Sequence, residues 1–361
     1  MSTKHLTYLD SLRGLAALTV ITFHYITCFW QVNGVFDRFE NASRMAVSLF
    51  FILSGFVLSQ RFLGTPNMKW SIVEAIIKRP FRLLGVVWVC IILGVTISVY
   101  IQGADISTFG KTWTQFAVDF FVSPFACGTY YDAPLWTIAW EVWGSMVVFG
   151  TVFCCGTLPK YLRLVIFSGL IILNRHNYYC AFMIGVIIAD LHKNFYAATL
   201  VKYRNLIALP LLGTGIIVGA MVHDGSNAAL MTSYIEDGFR MIGAIMIFAA
   251  IMLDTSFVRS ILEWKPVNFL GNISYSLYAI HWLIIKTIAE TVDTILNQYL
   301  QHDMAFFSMV LITLPIIIFT AWIIDKYVDK ISISAAAKIA KHCVVKLQLS
   351  TRINIGRILS F

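Results

Sequence analysis

Long apolar runs separated by short polar stretches follow one another from residue 12 to residue 324. A helix needs about 20 apolar residues to cross the hydrocarbon of a bilayer, and somewhat fewer when its ends are anchored. On that measure the pattern predicts about ten transmembrane helices, over 12–30, 45–63, 83–101, 135–155, 162–174, 178–192, 205–222, 238–254, 267–289 and 304–324. The fifth and sixth are the shortest. Between the third and fourth, residues 102–134 contain TWTQFAVDFFVSPF, which is apolar enough to lie in the interface or dip into the membrane without crossing it. From Lys326 to Phe361 the pattern changes to seven Lys and Arg interleaved with Ile, Val and Leu. That stretch fits either a helix lying on an anionic inner leaflet or a solvated basic tail that only fixes orientation.

Composition agrees with an all-α integral membrane protein. The chain has 361 residues, 58% hydrophobic and 13% charged, with a mean hydropathy of +0.76, which excludes an ordinary soluble domain. A net charge of +8 in a soluble protein would suggest nucleic acid. Here the basic residues sit between apolar runs, where lipid and topology account for them, and no nucleic-acid partner is expected. With the N-terminus in the cytoplasm, 21 of the 27 Lys and Arg fall inside, including all seven from Lys326 onward. The outside set is Arg38, Arg44, Lys111, Arg175, Arg240 and Lys286. This bias supports ten spans with both termini cytoplasmic. The seven cysteines show no CxxC and no Cys/His spacing of a zinc site, so neither disulfide nor metal is implied. The opening MSTKHLTYLDSLRG has no cleavage-site pattern, so the first apolar run reads as a retained helix.

Charged and titratable residues inside a span are costly and need a reason. In YLDSLRGLAALTVITFHY, Arg13 and His24 are eleven residues apart, about 20° past three full helical rotations, so they share a face. They are separated by roughly 16 Å along the axis, which puts Arg13 at the cytoplasmic mouth and His24 past the middle. Arg13 reads either as a snorkelling anchor or as an anion site, with Asp10 one turn away able to cap the helix or hold the guanidinium. His24 reads as a helix–helix hydrogen bond or as a site of chemistry. In IIKRPFRLLG, Arg79 and Arg82 can point together and suit a phosphate, although positive-inside anchoring explains Lys78, Arg79 and Arg82 equally well.

Glu141 sits in APLWTIAWEVWGSMVVFG among Trp136, Trp140 and Trp143, roughly 9 Å below the outer end of its helix and at a depth comparable with His24. A buried carboxylate beside a histidine can orient it, hold its proton or act as a base; the other reading is a structural partner for a neighbouring helix. NISYSLYAIHWLIIK places Tyr275, Tyr278 and His281 at steps of three on one side of the ninth helix, with His281 at a similar outer depth. This stripe can line a polar passage or simply pack.

Five segments, in order, resemble the membrane acyltransferase-3 family, integral-membrane enzymes that acylate cell-surface sugars: DSLRGLAALTVITFH, SLFFILSGFVLS, KRPFR, LWTIAWE and ISYSLYAIH. The family's arginine, ten residues, histidine pattern matches Arg13 and His24, and its arginine, two residues, arginine pattern matches Arg79 and Arg82. This chain departs from the family in having Leu83, Leu84 and Gly85 where a proline is usual, and Val142 after the glutamate. The resemblance covers 1–325 as a membrane acyltransferase domain and leaves 326–361 as a basic cytoplasmic tail, an interfacial amphipathic helix on one of the two readings above. It implies transfer of an acyl group, most often acetyl, from cytoplasmic acetyl-CoA to a hydroxyl acceptor, with no metal. The roughly 16 Å between Arg13 and His24 is on the scale of the coenzyme's arm. Arg13, Arg79 and Arg82 would hold its phosphates, and His24, oriented by Glu141, would be the general base or a transient acyl carrier.

Some members carry an extracytoplasmic hydrolase-like domain. This chain is expected either to acylate a glycan directly or to hand the group to a separate relay protein, and a homo-oligomer is compatible with both. The preferred acceptor is a lipid-linked or growing polysaccharide unit, such as an O-antigen or lipopolysaccharide sugar or an exopolysaccharide, at the outer face of a bacterial inner membrane. Trp136, Tyr275, Tyr278 and His281 are the candidate acceptor contacts, and Trp30 and Tyr130 could stack on sugar faces or belong to an aromatic belt. The rival from another class is a proton-coupled secondary transporter or flippase, which also needs intramembrane His and Glu.

Overall fold

The computed structural model describes residues 7–30, 36–100, 109–126, 132–194, 198–221, 229–253 and 255–358. Tyr130 lies outside them. Among the described residues every regular element is helical. In chain order they are α1 (Thr7–Phe29), α2 (Phe36–Gln60), α3 (Lys69–Tyr100), α4 (Phe109–Phe121), α5 (Trp136–Cys155), α6 (Lys160–Leu173), α7 (Tyr179–Asn194) and α8 (Ala198–Gly219). They continue with α9 (Ala229–Met252), α10 (Ser256–Leu262), α11 (Lys265–Asn272), α12 (Ser274–Ile284), α13 (Glu290–Leu296), α14 (His302–Ile324) and α15 (Lys330–Ile358). A short 3-10 turn, Ala133–Leu135, leads into α5, and π-helical turns at Ile285–Ala289 and Asp325–Asp329 join α12 to α13 and α14 to α15.

Among the described residues, helix occupies most of each of the ten apolar runs. Among the described residues only five helices, those over Thr7–Phe29, Arg38–Gln60, Lys69–Ile97, Ala133–Cys155 and His302–Ser350, are long and apolar enough to cross a membrane by length and composition alone, against the ten expected. The outer surface is apolar as lipid contact requires: Val165, Leu173, Leu206 and Leu311 are all more than two-thirds exposed.

α2 is the most buried of the five long helices and packs against α1, α5, α7, α8 and α9. Lipid is as apolar as leucine, so membrane helices associate through close packing, and small residues permit the closest approach. A Cβ on Gly55 of α2 would lie 2.0 Å from the Phe182 carbonyl oxygen, and one on Gly185 of α7 would lie 2.0 Å from that of Ile52. The two backbones touch at this crossing. Buried arginines supply further links. Arg163 of α6 reaches both oxygens of Asp190 on α7, at 3.2 and 2.6 Å, and Arg240 of α9 donates to Asn41 of α2 at 2.8 Å.

Three elements differ from the sequence pattern. α3 begins at Lys69 and runs through Pro80, so Arg79 and Arg82 lie within the helix instead of at its start. Proline removes one ladder hydrogen bond but does not stop a helix held by packing on both sides. The expected helix over 267–289 is broken at Ile273, between α11 and α12. The break follows Gly271, whose added Cβ would meet the Asp10 carbonyl carbon at 2.5 Å, so α11 is pressed against α1 backbone to backbone. Last, the helix from His302 continues without interruption to Ile358, and α15 packs along α3, with Ser332 against Gly85. At 1.5 Å per residue the continuous helix is about 85 Å long and α3 about 48 Å, both beyond the ~30 Å of hydrocarbon. Packed together, their extensions must leave the membrane on the same side.

The Gly55 crossing has no room for a methyl group. Gly55→Ala should destabilise the protein by about 1–3 kcal/mol through overpacking, read as a lower midpoint of thermal unfolding in detergent. An unchanged midpoint would mean that the α2–α7 contact is not held at backbone distance.

Candidate functional site

A partly open pocket with about 690 Å³ of empty space lies between α1, α2, α3, α5 and α12. Its walls are mostly apolar, with Phe50 and Phe51 from α2, Leu83 from α3 and Ile138 from α5. Into this surface the helices bring Arg13, Arg79, Arg82 and Glu141. Three guanidinium groups therefore face one carboxylate. Arg79 and Glu141 are ion-paired and almost buried, with side-chain exposures of 8% and 16%. The pair is completed by hydroxyls: Ser54 of α2 donates to Glu141 Oε1 at 2.7 Å, and Arg79 Nε donates to Ser145 Oγ at 2.9 Å. Ser145 lies one turn after Glu141 and in turn donates to its backbone carbonyl at 2.5 Å.

Arg13 and Arg82 meet carboxylates only at longer range, Glu141 and Asp10 for Arg13 and Asp329 for Arg82. Among the described residues neither makes a hydrogen bond or an ion pair, and Arg13 Nε is buried without an acceptor. Both side chains are only partly buried and keep N–H donors that an anion can satisfy.

α12 connects this charged region to the histidines. Tyr275 and Tyr278 line the pocket, and His281 follows at the next step of three, about 4.5 Å further along the helix. Tyr275 donates its hydroxyl to the Leu83 carbonyl at 2.6 Å, which fixes α12 against α3. Tyr278 donates to the Pro134 carbonyl at 3.1 Å and lies 3.2 Å from the Thr137 hydroxyl, which fixes α12 against the start of α5. His281 is fully buried and its ring lies 5.3 Å from that of His24. His24 is half-buried, packs edge-on against Trp282 at 4.9 Å and makes no hydrogen bond among the described residues.

The structure thus groups the residues singled out in the sequence differently from the spacing argument. Arg13, Arg79, Arg82, Glu141, Tyr275 and Tyr278 share the pocket. Glu141, expected beside His24, has its hydrogen bonds to Ser54 and Arg79, and the titratable neighbour of His24 is His281. Trp136 does not line the pocket and instead packs on Tyr178, 5.6 Å between ring centres. Trp30 stacks on Phe306 at 5.2 Å and donates to Asp303 at 3.1 Å, joining α1 to α14. Ser54, Thr137 and Ser145 were not singled out. The signal available was a hydroxyl inside an apolar run one helical turn from, or facing, a carboxylate. Among the described residues no group of three or more His, Cys, Asp and Glu is placed to hold a metal ion.

Removing one member of the Arg79–Glu141 pair leaves the other buried and uncompensated. Glu141→Leu should cost about 3–5 kcal/mol of stability, and the double variant Arg79→Leu with Glu141→Leu should recover most of it. Thermal unfolding of the three proteins checks this; a double variant no more stable than the single one would contradict the pairing.

No curated protein and no solved structure matches the chain. A family profile described as an acyltransferase domain, that of the acyltransferase-3 family, matches residues 6–326. The matched region contains every group in the pocket and both histidines, and ends as α14 passes into its π turn. Over nearly nine-tenths of its length, then, this multi-pass helical membrane protein carries the domain, and it belongs to the acyltransferase-3 family of membrane acyltransferases.

Proposed function

We propose that the protein transfers an acetyl group from cytoplasmic acetyl-CoA to a hydroxyl of a lipid-linked or growing surface glycan, such as an O-antigen, lipopolysaccharide or exopolysaccharide sugar. The observation that carries this reading is the pocket itself, with three guanidiniums against one carboxylate inside an apolar helical wall. A diphosphate on a long, thin arm matches its chemistry. Arg82 and Arg13 take the phosphates, Arg79 is held in place by Glu141 and Ser145, and the arm runs past Tyr275 and Tyr278 toward His24.

The reaction needs a base near the thioester. His24 takes the proton of the acceptor hydroxyl as its oxygen attacks the thioester carbonyl. The carbon–sulfur bond then breaks, and His24 returns the proton to the departing thiolate. Donor and acceptor thus approach the imidazole from opposite ends of the site. In this reading the protein sits in a bacterial inner membrane with about ten crossings and both termini in the cytoplasm, which the distribution of Lys and Arg supports. The acceptor meets the histidines from the outer face, and the group passes to it directly, without a relay protein.

Membranes containing the protein and its natural glycan should incorporate label from acetyl-CoA into the glycan. His24→Ala should abolish this without changing insertion or folding. No incorporation by the folded wild-type protein would overturn the reading in favour of the transporter. Arg13→Ala and Arg82→Ala should each weaken acetyl-CoA binding by about 1.5–3 kcal/mol, the range for a hydrogen bond to a charged group, measured by titration calorimetry. Label found covalently on His24 in the absence of acceptor would replace the base with an acyl carrier.

A further inference from the structure

We infer that His281 is the positioning residue for His24, holding it in the one tautomer that can act as a base. The inference rests on the proposed role of His24 and adds the group that makes that role possible. A neutral imidazole presents one N–H and one lone pair, and which nitrogen carries which is set by what the other nitrogen meets. His281 Nδ1 lies 2.6 Å from the backbone carbonyl of Tyr278, one turn back on α12. A carbonyl can only accept, so Nδ1 carries the proton and Nε2 is left with its lone pair. That nitrogen is buried and has no hydrogen-bond partner in the resting arrangement. Nδ1 and Nε2 are separated by one ring carbon and their bonding directions diverge widely, so with Nδ1 turned back to the Tyr278 carbonyl Nε2 is directed away from it.

The ring packed beside it is that of His24, on α1. Two imidazoles joined edge to edge by an N–H···N hydrogen bond of about 3 Å have ring centres roughly 5 Å apart, since each nitrogen lies about 1 Å from its ring centre. The observed separation is 5.3 Å. Closing the contact requires rotation of the His24 ring about its last side-chain torsion, which is broad for imidazole, and no movement of either helix. His24 is free to make that rotation because no hydrogen bond among the described residues restrains it. Once bonded, its proton points to His281 and its other nitrogen offers a lone pair to the acceptor. When His24 takes the hydroxyl proton and becomes cationic, Nε2 of His281 accepts the other N–H and stabilises the charge. His281 keeps its own proton throughout, so it transfers nothing and touches neither donor nor acceptor.

His281→Gln and His281→Leu test this, with the wild type and His24→Ala alongside. A glutamine carbonyl can accept a hydrogen bond at about the reach of Nε2, and leucine cannot. Three readouts are taken: the acetyl-CoA dissociation constant, the turnover number for glycan acetylation, and the tautomer of His24 from its nitrogen chemical shifts in histidine-labelled protein. Leucine should lower turnover by about a hundredfold, the low end for general-base catalysis, with donor affinity unchanged within twofold. Glutamine should restore turnover to within about tenfold of wild type. The His24 signals should report one tautomer in wild type and glutamine proteins and a mixture in the leucine protein. Leucine turnover within threefold of wild type, or a single unaltered tautomer in that variant, would overturn the inference while leaving the base intact. Equal loss in both variants would reduce His281 to a packing residue. Full turnover by His24→Ala would remove the base and, with it, the role of His281.

Discussion

Every arrangement around the pocket follows from the cost of holding a guanidinium away from water. An arginine in a low-dielectric setting must be given a counter-charge and satisfied donors, or the helix that carries it will not stay there. Arg79 obtains both, from Glu141 and Ser145 on α5, and Glu141 is completed by Ser54 on α2. Three helices are thereby tied at a single point in the membrane. α3 passes through Pro80 one residue after Arg79, where a proline would otherwise favour a kink, because this ion pair and the packing of α15 hold it on either side. Arg13 and Arg82 line the same pocket, with Asp10 and Glu141 near the first and Asp329 near the second.

From that point the chemistry is distributed along a helix. Tyr275, Tyr278 and His281 occupy successive turns of one face of α12, and each is fixed to a different neighbour: the Leu83 carbonyl of α3, the Pro134 carbonyl at the start of α5, and the helix's own Tyr278 carbonyl. Backbone acceptors do not change with side-chain rotation, so the spacing between the charged end and the imidazole end is set by helix geometry. The π turn that follows α12 shifts the register of the residues beyond it without disturbing the three that matter.

Period and apolar length made much of this legible. The common face of Arg13 and His24, the stripe on α12 and the helical nature of the apolar runs all depend on local geometry, which a sequence carries explicitly. Pairing between distant segments does not. Nothing in KRPFR distinguishes a topology anchor from a buried arginine, and the hydrogen-bond partner of Glu141 lies 62 residues before it in the chain. The same holds for Arg163 and Arg240, which count as inside and outside charges by position but are both less than a tenth exposed and tied to Asp190 and Asn41. The apolar run marks a helix start too late where polar residues precede it. α3 begins at Lys69 and packs along α15, and hydropathy measures only what would pack on lipid. The break at Ile273 comes from pressure between backbones, a contact that leaves no mark on composition.

The crossing of Gly14 and Gly271 bears on how such a protein can diversify. A Cβ on Gly14 would lie 2.6 Å from the Gly271 nitrogen, so neither position admits even a methyl group, and Arg13 is the next residue along. The Arg13 end of the pocket is therefore registered by main chain against main chain. Ordinary substitution cannot retune it by small steps, because the first step is already a collision. At the other end the surroundings of His24 are set by side chains, Phe23 and Trp282, and not by main chain. Descendants of this chain would be expected to keep the arginine end fixed while the surroundings of the histidines vary.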